Sequence, residues 1–450
     1  MKLVWRKTPR GTVERSLTQA ETEALCDTYG AGRTATKEQQ DLVRDITGQM
    51  IEDSLWLQCS CHPDFPPLNT VVDKASGRHL RHLHQSGRHS PSCPLFRVKK
   101  TGTDTETGHR EGHKHAFAPL DVSAFITLKK ESGKGTGVRD LTPGSGGKEE
   151  RIKKVPALGR KLLTLLDMAA IHRLTLIPKT PSGSMLDTLK TIKRVAGSVK
   201  LHGDRVLADV IMTPPWLTQQ DLENTMTALE MDNKGWPART RIGFYLIGLT
   251  REVDRQTVTF NTKTRAYTWS PAKRMTVNGE HNALLGSRAP YWVILSFFRD
   301  EAGKVICDEG YAHSAWSMVN PIPVDSLKEK DTLETIVREV GKLRKKPARL
   351  TLEKPLFDIE SGPDGEELAL PVLPDFLVRV RPDTGPEEAL FCIETMGYDS
   401  EEYLERKKRT HAEMAKLGKV ITDPDLRAGK DFSKTLLGYI AHADTWAEKQ

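Results

Sequence analysis

Two acids near the carboxyl end of the chain have the types and spacing that metal-assisted cleavage of a phosphodiester needs. Asp375 stands at the head of the apolar run LPDFLVRV, and Glu394 stands at the tail of the next run, ALFCIETM. Proteins hold Mg²⁺ with one or two carboxylates together with waters and substrate oxygens. If the two runs are paired strands, Asp375 and Glu394 are candidate ligands for a metal that polarises a phosphate and activates water.

Such a reaction also needs a cation beside the developing negative charge, and helical phase selects one lysine. In the segment after Glu394, at about 100° per residue, Lys407 shares the apolar face with Tyr403 and Met414. Its basic neighbours Arg406, Lys408 and Arg409 point away from that face. We therefore predict Asp375, Glu394 and Lys407 as the catalytic residues, with Lys354 in EKPLF as a second candidate cation.

Each of these residues also has a structural explanation. Proline is tolerated at the first residue of a strand, so PDF begins many strands without any catalytic role. A lysine on an apolar helix face can extend its ammonium group into water. The acids and the lysine favour a catalytic site only when they are taken together in the right order of elements.

A second set of residues has the spacing of a zinc site. Cys59 and Cys61 form one pair, His89 and Cys93 form another, and 27 residues separate the pairs. The turn containing Pro91 favours His89 as the histidine ligand. Four protein ligands imply a structural zinc, because a catalytic zinc keeps one coordination position open. The alternative is a set of unrelated cysteines in a loop region whose other histidines are His62, His79, His82 and His84.

The elements that must position the acids and the lysine follow from the patterning of residues 323–450. An amphipathic helix in DSLKEKDTLETIVREVGKLRKK precedes three predicted strands, LTLEKPLFDI, LPDFLVRV and ALFCIETM. A helix over 400–417, the strand KVITD and a last helix over 432–446 follow. The predicted order is therefore αβββαβ with a closing helix.

The rest of the chain divides by composition. We predict an N-terminal zinc-binding module over 1–98, a flexible Gly/Thr/Lys/Glu-rich linker over 99–154, and a mixed α+β domain of unknown role over 155–322. The predicted fold class is thus α+β and multidomain. In the middle domain, the helix in TLKTIKRVAGSVK is either a basic helix facing DNA or, more commonly for such a pattern, a packing element.

Charge and hydropathy narrow the partners. The 450 residues carry a net charge of +7, which favours acidic partners such as DNA. The segment 341–354 holds six basic residues against one acidic residue, and such a run either contacts phosphates or is a solvated helix end. No apolar stretch approaches the roughly 18 residues of a membrane span, so we expect a cytoplasmic protein without a membrane partner.

The motif LPDF, followed by a strand ending in Glu394 within an αβββαβ order, resembles the PD-(D/E)xK nuclease superfamily over about the last 125 residues. The resemblance implies Pro374 and Asp375 as the PD motif and Glu394 as the second acid. The lysine of the superfamily's E-x-K motif would fall at position 396, where this chain has Met396. Some members supply the lysine from the following helix, which would make Lys407 the substitute.

A Cys/His segment before such a core is also similar to CoiA-like competence proteins, and the motifs resemble uncharacterised proteins of plasmids and integrative elements. The resemblance implies a DNA nuclease that uses Mg²⁺ or Mn²⁺ and serves a mobile element or DNA processing. Because Met396 breaks the motif, the alternative is a catalytically inactive, nuclease-like protein that binds DNA or assembles with a partner.

Overall fold

The structure is a computed structural model of the chain. It describes residues 1–6, 12–30, 34–62, 66–74, 77–83, 89–90, 92–96, 117–128, 155–179, 183–213, 215–232, 236–279, 290–363, 365–383, 388–397, 401–426 and 430–444.

The helices of these residues, in chain order, are α1 (Gln19–Tyr29), α2 (Lys37–Glu52), α3 (Ala157–Met168), α4 (Met185–Gly197), α5 (Gln219–Met231), α6 (Leu327–Gly341), α7 (Glu401–Met414) and α8 (Phe432–Ala441). The strands are β1 (Lys2–Trp5), β2 (Val13–Ser16), β3 (Leu55–Gln58), β4 (Leu68–Lys74), β5 (Gly77–His82), β6 (Thr127–Leu128), β7 (Arg173–Ile177), β8 (Lys200–His202), β9 (Arg205–Val206), β10 (Ile211–Met212), β11 (Thr240–Arg241), β12 (Gly243–Thr250), β13 (Glu252–Val253), β14 (Val258–Asn261), β15 (Ala266–Trp269), β16 (Thr276–Asn278), β17 (Tyr291–Arg299), β18 (Val305–Ser314), β19 (Arg349–Glu353), β20 (Ile359–Ser361), β21 (Glu367–Val372), β22 (Phe376–Arg381), β23 (Ala389–Thr395) and β24 (Lys419–Asp423).

The chain forms two compact units. Unit 1 comprises Met1–Arg97, Arg173–Thr180 and Asp331–Gln450, and unit 2 comprises Val98–His172 and Pro181–Lys330. The linker predicted over 99–154 lies outside the described residues apart from 117–128. That short segment contains a 3₁₀ turn and β6.

The N-terminal part of unit 1 is a five-stranded sheet in the order β2-β1-β3-β4-β5, packed against α1 and α2. Both helices begin with a capping box, in which Thr18 pairs with Glu21 and Thr36 with Gln39. This arrangement satisfies backbone N–H groups that the first turn of a helix leaves unpaired. The apolar sides of the helices and the sheet then bury a common core.

The C-terminal part of unit 1 is a second five-stranded sheet, in the order β24-β23-β22-β19-β7. β22 and β23 are antiparallel with Phe376 opposite Ile393, and β23 and β24 are parallel with Glu394 opposite Thr422. The predicted order αβββαβ is present as α6, β19, β22, β23, α7 and β24. The structure adds the hairpin β20–β21. Burial does not alternate regularly along β21, so its sequence lacks the period-two pattern from which a strand is predicted.

The edge strand β7 comes from the middle of the chain. The apolar spacing of ALGRKLLTLLDMAAIHRL, residues 157–174, is that of one continuous helix, but α3 ends at Met168. Ala170 adopts φ +54°, and the N–H groups of Ala170 and Ile171 donate to the carbonyls of Asp167 and Leu166. These bonds form a Schellman motif, which ends the helix. The following segment RLTLI then pairs antiparallel with β19.

Unit 2 contains a five-stranded sheet, β10-β12-β17-β18-β16, and a small sheet, β13-β14-β15. On α4, Lys193 is directed inward, and its ammonium group donates to the carbonyls of Ala208 and Ile211 at 2.6 Å each. This contact gives the central lysine of the basic helix a packing role. Within the described part of the chain, no helix has the length and apolarity needed to cross a membrane.

Candidate functional site

The structure brings the four predicted zinc ligands together, and we call them the Cys/His cluster. The ligand atoms of Cys59, Cys61, His89 and Cys93 lie within 4.8 Å of one another. The Sγ atoms of Cys59 and Cys93 are 3.7 Å apart, and His89 Nδ1 lies 3.6 Å from Cys61 Sγ and 3.3 Å from Cys93 Sγ. Ligand atoms around a tetrahedral zinc are separated by roughly 3.6–3.8 Å. The cluster therefore has the donor set and spacing to bind a metal ion.

The neighbours of the cluster orient its ligands. The Nε2–H of His89 donates to Asn69 Oδ1 at 3.1 Å, which leaves Nδ1 as the nitrogen that faces the sulfurs. Asn69 is buried on β4, and the backbone N–H of Ser90 donates to Cys61 Sγ. Partners of this kind fix the tautomer and the ring orientation of a metal-binding histidine.

The thiols of the cluster perturb one another. Hydrogen bonds from Cys61 and Cys93 lower the pKa of Cys59, whereas the Cys59 thiolate raises the pKa of Cys61 to about 11 and also raises that of Cys93. Ionisation of one thiol thus makes ionisation of the next thiol less favourable. A bound cation would remove this conflict, because it stabilises all the thiolates together.

The second site lies at one end of β22 and β23. Continuing the register of these strands by one residue places Asp375 beside Glu394. The backbone N–H of Thr395 donates to Asp375 Oδ2 at 2.7 Å, so the half-buried Asp375 is fixed directly next to the second acid. Glu394 has no solvent exposure.

Lys407, on α7, reaches the same place. Its ammonium group donates to Glu394 Oε2, and it lies 5.9 Å from the ring centroid of Tyr403. Its neighbour Lys408 is exposed and pairs with Glu405. The helical phase predicted from the sequence therefore distinguishes Lys407, which points inward, from Lys408, which points outward. We call Asp375, Glu394 and Lys407 the acid–lysine site.

The charges at this site stabilise one another. Burial alone would raise the pKa of Glu394, but His411 and Lys407 outweigh burial and lower it. Burial alone would lower the pKa of Lys407, but the carboxylates of Glu394 and Asp375 outweigh burial and raise it. Both groups are therefore ionised at neutral pH.

Sequence reasoning gave no role to several residues around the site. His411 lies one turn after Lys407 on α7, with Nε2 3.7 Å from Glu394 Oε2. The hydroxyl of Thr395 donates to that of Thr332, which in turn donates to Asp423 at 2.7 Å. The i, i+4 spacing of Lys407 and His411 could have identified the histidine, whereas the Thr332 contact joins distant elements.

The second candidate cation has a different position. Lys354 is buried, and its ammonium group lies 5.6 Å from the ring centroid of Phe376, the residue after Asp375. The structure thus places it against the first residue of β22.

One atom of the acid–lysine site bears directly on metal binding. Glu394 Oε1 is buried and, among the described residues, has no hydrogen-bond partner. A buried carboxylate oxygen without a partner is costly. Carboxylate oxygens are the ligands that Mg²⁺ prefers, so Glu394 and its neighbour Asp375 fit a divalent cation.

Comparison with known proteins defines the class of the domain that holds this site. Residues 325–439 match the family described as the restriction endonuclease-like C-terminal domain. This match indicates a nuclease-type function and suggests DNA as the substrate. Residues 1–99 and 122–314 match two further families, which are described as domains of unknown function (DUF8534 and DUF8535).

The match to one curated relative covers most of that relative's length. The chain is 41% identical over 177 residues to an Escherichia coli protein described as "Uncharacterized protein in cib 5'region", covering 38% of this chain and 80% of the relative. The chain therefore belongs to the same family as this uncharacterised protein. No solved structure gives a significant match.

Proposed function

We propose that the C-terminal domain is a nuclease that hydrolyses phosphodiester bonds of DNA with Mg²⁺ or Mn²⁺. The observation that carries the proposal is the meeting of Asp375, Glu394 and Lys407 at one end of a sheet in a restriction endonuclease-like domain. Lys407, on α7, would supply the positive charge of the motif's lysine, because position 396 is occupied by Met396.

Each residue has a distinct role in the proposed reaction. Asp375 and Glu394 would hold the divalent cation, which supplies polarisation of the phosphate and a water of lowered pKa. The N–H of Thr395 keeps Asp375 in position, so little reorganisation is needed when substrate binds. Lys407 keeps its proton because its pKa is raised, and its ammonium group stabilises negative charge that develops on the phosphate.

For the N-terminal module we propose a structural zinc held by Cys59, Cys61, His89 and Cys93. The closed set of four ligands supports this role, since it leaves no position open for a substrate. A relationship to CoiA-like proteins, a link to a mobile element or DNA processing, and a cytoplasmic location stay predictions.

A second candidate function has one observation in its favour. The ammonium group of Lys407 already donates to Glu394 Oε2 and so neutralises part of the charge that would attract a metal. Together with Met396, this pairing is what a nuclease-like domain that only binds DNA would show. Such a protein would bind DNA in a salt-sensitive way without metal-dependent turnover.

Cleavage of plasmid and linear DNA by matched variants tests the proposal. With Mg²⁺ or Mn²⁺, the wild type should cleave and Asp375→Ala should not. Asp383→Ala is the matched control, because Asp383 is an exposed aspartate just beyond the other end of β22. Equal cleavage by wild type and Asp375→Ala would contradict the assignment. DNA binding without cleavage by either protein would favour the inactive alternative.

A further inference from the structure

A cavity of about 210 Å³ is lined by residues of unit 2 alone. Its lining is mostly apolar. Two of the lining residues, Phe260 and Pro215, pack closely against the backbone of β12 at Gly248. A Cβ at position 248 would lie 2.5 Å from the Phe260 ring and 2.7 Å from Pro215. The glycine therefore lets both rings approach the strand, which gives the cavity a fixed wall.

The size and the lining of the cavity indicate a small, flat ligand. Sites for drug-sized molecules are roughly 300–1,000 Å³, so this one accommodates a single ring system. Trp216 lines it with a half-buried indole, and Phe260 contributes a buried ring. Aromatic faces of this kind stack with nucleobases regardless of sequence, because every base has a π-face.

One residue of the cavity lining, Arg251, carries a positive charge that suits the phosphate of a nucleotide. Arg251 lines the cavity and is exposed, and Arg255, Lys263 and Arg274 are exposed in the same stretch. Within the described residues, none of these four cations takes part in an ion pair. Residues 251–274 hold six basic residues and two acidic ones.

The two acids of this stretch have partners within the protein. Glu252 also lines the cavity, where its carboxylate accepts a hydrogen bond from the side-chain amide of Asn261. Asp254 accepts from the backbone N–H groups of Gln256 and Thr257, at 2.6 and 2.7 Å. Arg251, which lines the cavity and has no ion-pair partner among the described residues, thus remains available to an external anion.

We propose that this cavity binds one unpaired base of single-stranded DNA, with Trp216 stacked on the base and Arg251 contacting an adjacent phosphate. The binding of an unpaired nucleotide follows from the cavity and its rim. The choice of DNA over RNA rests on the proposed nuclease function of the same chain. Duplex DNA is a poorer ligand, because its bases are stacked within the helix and cannot enter.

Two kinds of variant separate stacking from charge. Affinity of the full-length protein for a short fluorescent single-stranded DNA is measured over a range of salt concentrations without divalent metal, so that no strand is cut. Trp216→Leu should weaken binding about tenfold at every salt concentration, whereas Trp216→Phe should retain most of it. Arg251→Ala should reduce the slope of log affinity against log salt by about 0.7, the value for one lost phosphate contact on a single strand.

Lys304→Ala is the matched control for Arg251→Ala. Lys304 is exposed in the turn between β17 and β18, and the register of β12 with β17 puts this turn at the far end of the sheet from Thr250. It should change neither the affinity nor the slope. Equal effects of Lys304→Ala and Arg251→Ala, or unchanged affinity in Trp216→Leu, would overturn the proposal.

Further oligonucleotides test the choice of ligand. Tighter binding of an RNA of the same sequence would overturn the assignment to DNA, and equal binding of duplex DNA would overturn the unpaired base. Because no metal is present, loss of the nuclease function would leave these results unchanged. The two proposals can therefore fail separately.

Discussion

The Cys/His cluster and the acid–lysine site are both candidate metal sites, but they are built in opposite ways. The cluster takes its four ligands from 35 consecutive positions, 59–93, and each ligand atom lies close to every other. The acid–lysine site draws on β22, β23 and α7, and one of its carboxylates is already paired with a lysine. The first arrangement suits an ion that stabilises a fold, and the second suits an ion shared with a substrate.

The largest expected effect comes from removing one ligand of the Cys/His cluster. Cys93→Ala should lower the zinc content from about one ion per chain to nearly none and unfold the N-terminal sheet, since structural zinc contributes about 10–16 kcal/mol in small zinc-binding peptides. Elemental analysis and thermal unfolding measure both changes. Cys26→Ala is the control, because Cys26 is a buried cysteine of the same module outside the cluster. Retention of zinc by Cys93→Ala would refute the site.

The next effect concerns the buried ion pair. Lys407→Met leaves the Glu394 carboxylate buried without its cation, and we expect a loss of about 3–5 kcal/mol in the free energy of unfolding. Cleavage should fall by about 10²–10³-fold as well. Lys408→Met, next in sequence but exposed, should stay within about 0.5 kcal/mol of wild type in urea unfolding. Similar losses in both variants would show that Lys407 has no special partner.

A double variant distinguishes stability from chemistry at the same site. Glu394→Leu combined with Lys407→Met removes both buried charges, and we expect it to recover most of the stability that Lys407→Met loses, because apolar replacement of a buried pair is often close to neutral. DNA cleavage should not recover with the stability and should stay at least about 10²–10³-fold below that of the wild type. Recovered cleavage would mean that the pair only supports the fold.

The smallest effect is a dependence of stability on pH in metal-free protein. The pKa of Glu394 is lowered in the folded state, so its contribution is present above the ordinary value of 4.5 and is lost as pH falls through the lowered value. The pKa of Lys407 is raised, so its contribution is complete below 10.5 and is lost as pH rises through the raised value. The double variant lacks both groups and should nearly match the wild type at neutral pH. The urea midpoint of the wild type should therefore fall below that of the double variant at both extremes of pH. A constant difference would exclude the pair as the cause.

The two sites also differ in how well sequence could predict them. The four cluster residues lie in one short polar segment, so their paired spacing and the Pro91 turn predicted the same set, including His89, that the structure brings within 4.8 Å. Lys407 was found from helical phase because α7 is a regular helix beside an apolar face. Contacts that join separate elements, such as the hydroxyl of Thr332 with Asp423, leave no local pattern.

The same reasoning explains the strand that sequence analysis missed. RLTLI follows an amphipathic helix, and that helix ends in the Schellman motif at Ala170. Its partner strand β19 begins 172 positions after Ile177, at Arg349. A periodicity analysis over short windows cannot recognise a partner at that separation, because pairing over such a distance depends on the fold of everything between.

The position of β7 has a practical consequence for anyone who expresses the nuclease-like domain by itself. A fragment cut at the family boundaries, 325–439, would omit Arg173–Ile177 and leave β19 as an unprotected edge. Edges of that kind recruit strands from other molecules and lead to aggregation. A soluble fragment would need the missing strand to be supplied, for example by fusing residues 173–177 ahead of α6 through a flexible linker.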